Sequence, residues 1–117
     1  MRFTLLDFET TGLDPQNSEL IEIGAIRVVM KPDGSLVEEE RFQSLVLPEG
    51  EIPWVIQKLT GITPELLQKS SARPLHELLP EFLDFLQDAP IIAHNSAMEQ
   101  GFLDHQVAPR SARESFT

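Results

Sequence analysis

Hydrophobic and polar positions alternate along the first half of the chain with the two-residue period of β-strands. The apolar run 3–6 predicts a buried strand that continues to Glu9 and is broken at Thr11-Gly12. Apolar residues occupy both faces of 20–30, and a turn containing Pro and Gly then leads into 36–47. These segments predict a three-strand antiparallel meander, whose third strand has a polar stretch typical of an exposed sheet edge.

The second half of the chain changes to helical periodicity. Two short helices are predicted over 52–59 and 63–68, and Gly61 stops the first of them. A longer helix is predicted over 74–87, in which Pro80 indicates a kink or a later start. Its apolar stripe, at helical spacing, comprises Leu75, Leu78, Leu79, Phe82, Leu83 and Leu86.

The last elements decide the fold class. The apolar run 89–93 predicts a fourth, buried strand, and a final helix is predicted from about 97 to 106. A helical crossover should place the fourth strand parallel to the first, which predicts an α/β fold with a mixed sheet. We expect residues 1–106 to form one domain and residues 107–117 to form a flexible tail.

Composition and charge narrow the class of protein. The 117 residues suffice for one domain, and the absence of cysteine excludes disulfides and thiolate metal sites. No stretch approaches the ~20 apolar residues that span a bilayer, and the N-terminus does not resemble a signal peptide, so we expect a cytoplasmic protein without a membrane partner. The net charge of −10 argues against a broad nucleic-acid-binding surface, unless metal ions meet the phosphates.

Two acids at the end of the first strand are candidates for chemistry. Asp7 and Glu9 are two residues apart, so they share one face of the strand and repel each other unless a cation lies between them. Mg²⁺ or Mn²⁺ prefers such oxygen ligands, and a pair of these ions can hold the attacking and leaving oxygens of phosphoryl transfer. The alternative is that both are ordinary solvated acids at a strand end.

The string around these acids, D-x-E-T-T-G-L, resembles the first motif of the DnaQ-like (DEDD) 3′–5′ exonucleases, the family of bacterial proofreading subunits. The resemblance implies a ribonuclease-H-like fold and a two-metal site of Mg²⁺ or Mn²⁺ with Asp7 and Glu9 as ligands. It also implies that the loop after the acids contacts the substrate through Thr10, Thr11, Gly12 and Leu13.

The segment 94–103 resembles the second motif of that family, H-N-A-x-F-D-x-x-F-L. Asn95 and Met98 occupy positions that the resemblance assigns to substrate binding, although Met98 replaces an aromatic residue. Glu99 stands where the family has its third metal-binding and catalytic Asp. Because its carboxylate is one methylene longer, we expect a weakened second metal position. The alternative for Glu99 is an exposed acid in the first turn of a helix.

The third motif of the family, a general-base His five residues before a fourth acid, is absent from this sequence. We therefore expect a fragment or shortened form of a longer exonuclease, acting on single-stranded DNA or RNA 3′ ends with little activity, and associated with a polymerase or a helicase. The alternative is a non-catalytic interaction domain that keeps the fold. Apolar surface left uncovered at strand 91–93 predicts a homo-oligomer.

Overall fold

The computed structural model describes residues 1–93 and 96–107, and for Ser96 it describes the backbone alone. Five strands form one sheet: β1 Arg2–Thr10, β2 Leu20–Met30, β3 Leu36–Leu47, β4 Arg73–Pro74 and β5 Ile91–Ala93. Their order is β4-β3-β2-β1-β5, with β1, β2 and β3 antiparallel and β5 parallel to β1. The predicted meander and parallel strand are confirmed. The two-residue β4, parallel to the end of β3, was not predicted.

The helices follow the predicted order: α1 Trp54–Thr60, α2 Pro64–Lys69, α3 Leu75–Leu86 and α4 Ser96–Phe102. Gly61 ends α1 in the left-handed region with φ 75°, and the Thr63 hydroxyl accepts a hydrogen bond from the Leu66 amide at 3.1 Å to cap α2. Pro80 does not mark a later start, because α3 begins at Leu75 and the exposed Pro80 ring lies on its solvent side.

The predicted single helix over 97–106 is wrong in its second half. The chain leaves α-helical geometry after Phe102 and forms one wider π-helical turn, Leu103–Val107, which we call the π-turn. Both ends of this turn are buried, since Leu103 and Val107 belong to the main core. Core packing at these two positions thus accompanies the change of helical geometry.

The main core lies between the sheet and α3. Leu78, Phe82 and Leu86 of the predicted stripe are buried there. Leu83 is exposed, and Phe85, which the predicted stripe omitted although it lies three positions after Phe82, is buried. A smaller cluster on the opposite face of the sheet joins β2 to the short helices and consists of Ile21, Ile52, Ile62 and Leu67.

One part of the sheet face that carries Asp7 remains open. A groove of about 540 Å³ runs over it between Leu5, Gly24, Ile26 and the half-exposed Ile92 of β5. Within the described residues β5 pairs only with β1. The expected self-association through this edge stays a prediction. No helix within 1–93 and 96–107 is long and apolar enough to cross a membrane.

Candidate active site

Strand β1 brings the two acids of the first motif to one face at its carboxyl end. Asp7 is exposed and Glu9 is half-buried, while Phe8 between them points to the other face and is buried in the core. In the antiparallel register, Gly24 lies opposite Asp7 and Glu22 lies opposite Glu9. Asp7 therefore has no side chain directly across from it on β2, and Glu9 has another carboxylate across from it.

Three other carboxylates lie near enough to Glu9 to act on its charge. The pKa of Glu9 is raised, first by its burial and then by the negative charges of Asp7, Glu22 and Glu99. Glu22 was not among the sequence candidates. The Glu-Ile-Gly pattern of β2 would have indicated it only if the register between the two strands were known, and a nine-residue connection does not determine that register.

Glu99 lies at this site and not in solvent. Its side chain is 1% exposed, and its Oε2 accepts a hydrogen bond from the Phe8 backbone N–H at 3.4 Å. The alternative of an exposed helix-end acid is therefore wrong. The hydrogen bond ties α4 to β1 at the residue between Asp7 and Glu9, so the two motifs meet in space.

The loop after β1 is held by its own hydrogen bonds. The Thr10 hydroxyl donates to the Gly12 carbonyl at 2.6 Å, and the Thr11 amide donates to the Glu19 carbonyl at 2.9 Å. The Thr11 hydroxyl accepts from the Glu19 amide at 2.9 Å. Both threonine side chains thus shape the loop, and Leu13 at its tip is 78% exposed.

The remaining candidate residues from the sequence lie in or just before α4. Met98 is half-buried and packs partly against the main core, so its side chain is only partly available to a ligand. Asn95 and His94 lie outside the described residues. The assignment of Thr10, Thr11, Gly12, Leu13, Asn95 and Met98 to substrate binding stays a prediction.

The donor set suits a hard divalent cation. Carboxylate oxygens are the ligands that Mg²⁺ and Mn²⁺ prefer. Burial raises the pKa of Glu9 first, and the negative charges of its neighbours, which a cation would relieve, raise it further. Within the described ranges, however, no three His, Asp or Glu side chains are arranged closely enough to hold an ion. The carboxylates near Glu9 are thus the right kind of ligand for a divalent cation, and their side chains would have to move closer together to bind one.

Glu9→Gln should stabilise the metal-free protein at neutral pH. Folding raises the pKa of Glu9, so the folded protein binds this proton more tightly than the unfolded chain does. The protonated side chain therefore contributes fully to stability below the unfolded-state pKa, and this contribution is lost as the pH rises through the folded-state pKa. We expect the variant to unfold at a higher temperature than wild type near pH 7.5, and the difference to shrink as the pH falls toward the unfolded-state pKa. Thermal unfolding by circular dichroism measures both.

The matched control for this substitution is Glu51→Gln, at an exposed position outside the carboxylate cluster. It should leave the unfolding temperature unchanged across this pH range. Excess Mn²⁺ should reverse the order of wild type and Glu9→Gln, because the ion stabilises only the intact site. A variant less stable than wild type at pH 7.5 without metal would contradict the electrostatic description.

Comparisons with known proteins agree with this geometry. The RNase T exonuclease family matches residues 4–109, and the chain belongs to that family. DNA polymerase III PolC-type of Thermotoga petrophila is 46% identical over 101 residues, which are 86% of this chain and 7% of the relative. DNA polymerase III subunit epsilon of Rickettsia typhi is 37% identical over 110 residues, 92% of this chain and 45% of the relative. The chain thus spans less than half of these relatives.

Solved structures confirm the ribonuclease-H-like exonuclease fold. Exonuclease X in complex with 5′ overhanging duplex DNA superposes with a TM-score of 0.65 at 21% identity, over 86% of this chain and 52% of that chain. Exonuclease I of E. coli in complex with an oligonucleotide gives a TM-score of 0.71 at 17% identity, over 86% and 22%. At these identities the likeness concerns the fold.

Proposed function

We propose that this chain supplies the metal-holding and substrate-facing part of a 3′–5′ exonuclease domain that acts on nucleic-acid 3′ ends. The supporting observation is that Asp7 and Glu9 share one face at the end of β1 and that the buried Glu99 accepts from the Phe8 amide between them. A loop that its own hydrogen bonds hold in shape follows directly. Family membership supports the reaction class.

The chain's own residues would act as follows. Asp7, Glu9 and Glu99 would hold Mg²⁺ or Mn²⁺, which supplies a polarised phosphate and an activated water. The loop at 10–13 would present its backbone and the exposed Leu13 to the terminal nucleotide. Glu99 would also keep α4 against β1 through the Phe8 amide, so that its carboxylate is positioned before substrate arrives.

Divalent metal should bind weakly to this site, and Asp7→Ala should abolish the binding. Asp7 is the exposed member of the cluster, and its loss removes a ligand without creating a core cavity. Isothermal calorimetry with Mn²⁺ measures this. Asp84→Ala, at an exposed position on α3, is the matched control and should bind as wild type does. Equal Mn²⁺ binding in wild type and Asp7→Ala would overturn the site assignment.

These residues alone should hydrolyse DNA slowly. The sequence contains no His five residues before an Asp after the second motif, and loss of a positioned general base costs about 10²–10⁴-fold in rate. A 5′-labelled single-stranded oligonucleotide incubated with Mn²⁺ should show little or no shortening, and Glu99→Asp alone should not restore it. Appending a homologous H-x₄-D segment should give detectable activity.

The control for that assay is Asp7→Ala, which separates the chain's own activity from a contaminating nuclease. Shortening that persists in Asp7→Ala does not come from this site. Rapid 3′–5′ digestion by the wild-type chain, lost in Asp7→Ala, would show that the residues present suffice for catalysis.

Association with a DNA polymerase is part of the proposal, since the two relatives are a polymerase and a polymerase subunit by name. DNA versus RNA as substrate, a helicase partner, self-association and a cytoplasmic location stay predictions.

A non-catalytic interaction domain remains a second candidate, favoured by one feature of α1. This helix buries none of its residues, and Trp54, Val55 and Leu59 are strongly exposed. Large apolar side chains grouped in this way are typical of contact surfaces. The Mn²⁺ titration distinguishes the candidates, because an interaction domain does not require the metal site.

A further inference from the structure

The loop between β1 and β2, residues 11–19, is fastened at its ends and in its middle. Thr11 and Glu19 close its ends by the two hydrogen bonds described above. The Glu19 carboxylate then accepts from the Glu49 and Gly50 amides at 2.6 and 2.8 Å, which anchors the loop end to the segment before α1. Asp14 shapes the central turn at 15–17: its carboxylate accepts from the Gln16 amide at 3.0 Å and from the Asn17 side-chain amide at 2.5 Å, and its carbonyl accepts from the Asn17 amide at 3.0 Å. These bonds lie within the loop and do not join the turn to the rest of the domain.

Gln106 of the π-turn fastens this turn to the rest of the domain. Its side-chain amide nitrogen donates to the Pro15 carbonyl at 2.6 Å and to the Ser18 carbonyl at 2.7 Å. Both amide hydrogens are used, and the two acceptors belong to the first residue of the turn and to the residue directly after it. Gln106 is half-buried, so water competes only in part for these carbonyls.

A second contact presses α4 onto the same loop. A Cβ atom added at Gly101 would lie 3.3 Å from Pro15 Cγ, which is tighter than most side-chain contacts. Glycine thus permits α4 to approach the loop closely. The helix that carries Glu99 and the π-turn that carries Gln106 therefore form one support beneath residues 15–18.

We propose that Gln106 is a positioning residue that holds the loop in the shape in which Thr11, Gly12 and Leu13 face the substrate. This inference rests on the proposed function for its last step, contact with a nucleic-acid 3′ end. Gln106 is joined to Glu99 through α4 and to the first motif through the loop. The Gln106 side-chain amide thereby keeps the 11–19 loop at a constant position relative to Glu99, which is more than 80 residues away in sequence from Thr11.

The chemistry of the contact makes Gln106→Glu the sharpest test. Glutamate has the same length, but its ionised carboxylate cannot donate to the two carbonyls and repels them. Gln106→Met also keeps the length and brings no charge, so it serves if the glutamate variant fails to fold. The matched control is Gln16→Glu, which places the same charge on the 11–19 loop itself, at an exposed side chain.

Two measurements separate the loop from the metal site. Amide hydrogen exchange at Thr11, followed by NMR without metal, reports the closed loop, because that amide donates to Glu19. We expect about tenfold faster exchange in Gln106→Glu and Gln106→Met and no change in Gln16→Glu.

Oligonucleotide binding is measured by fluorescence anisotropy with a 5′-labelled, 3′-hydroxyl oligonucleotide and Mn²⁺. The two Gln106 variants should bind the oligonucleotide about fivefold to tenfold more weakly than wild type. Calorimetry should show that their Mn²⁺ affinity stays within about twofold of wild type.

Each outcome decides something. Unchanged Thr11 exchange in both Gln106 variants would overturn the positioning role. Faster exchange with unchanged oligonucleotide affinity would also overturn it, since the loop shape would then not matter to binding. Equal loss of Mn²⁺ and oligonucleotide affinity would indicate general loosening and would likewise refute the proposal. If wild type binds no oligonucleotide, the proposed function fails, and the exchange rates alone still decide whether Gln106 holds the loop.

Discussion

Phe82→Ala should destabilise the domain by about 3–5 kcal/mol, the largest effect that we expect from a single substitution. Phe82 is fully buried on α3, and its ring contacts Phe8 edge-on with the centroids 6.2 Å apart and Phe42 at 5.3 Å. Alanine removes both ring contacts and leaves a cavity that rigid neighbouring strands cannot fill. Urea unfolding followed by circular dichroism measures the loss.

The effect should reach the site, because Phe8 lies between Asp7 and Glu9 on β1. We therefore expect Mn²⁺ binding to weaken along with stability in Phe82→Ala. The control is Leu83→Ala, one position further along α3, where the side chain is exposed and the cost should be below about 1 kcal/mol. Similar losses for the two variants would show that α3 is packed with a different face inward.

Arg27→Ala should lower the free energy of unfolding by about 2–4 kcal/mol, because the charged side chain of this strand residue is buried and bonded within the core. Its guanidinium is buried, donates to the Glu40 carboxylate at 2.5 Å and to the Phe85 carbonyl, and lies 4.4 Å from the centre of the Phe85 ring. It thus binds the carboxyl end of α3, where the helix dipole favours a positive charge. Thermal and urea unfolding both measure the loss.

Glu40→Gln is the control that apportions this loss. Glu40 is mostly exposed, so its ion pair with Arg27 should contribute less than about 1 kcal/mol. If Glu40→Gln lowers the free energy of unfolding as much as Arg27→Ala does, the ion pair with Glu40, and not the contact with the end of α3, is the main contribution of Arg27 to stability. Arg27→Lys should be intermediate, since lysine keeps the charge but cannot donate to both acceptors while stacking on Phe85.

Much of the fold could be predicted because its patterns are local. The bounds of β2 and β3 agree with the predicted 20–30 and 36–47, since alternating side chains and the turn at Gly34, with φ 88°, act over a few residues. Thr63 as a cap and Gly61 as a stop are local in the same sense. The first-motif acids follow from strand alternation alone, which places Asp7 and Glu9 on one face.

Other features required the tertiary structure. The two-residue β4 arises from its neighbour β3 and is too short to have a pattern of its own. The π-turn accompanies the burial of both Leu103 and Val107, which the spacing along the sequence did not indicate.

The sequence by itself determined the three strands of the meander, the helices α1 to α3, the parallel strand β5 and the two acids of β1, because strand and helix periods and caps are properties of neighbouring residues. Only the tertiary structure decided that Glu22 joins the acidic cluster, that Glu99 is buried against the Phe8 amide, and that Gln106 reaches the carbonyls of Pro15 and Ser18. Each of these contacts joins residues 13 or more positions apart. Strand register and helix docking bring them together, and no local pattern encodes either.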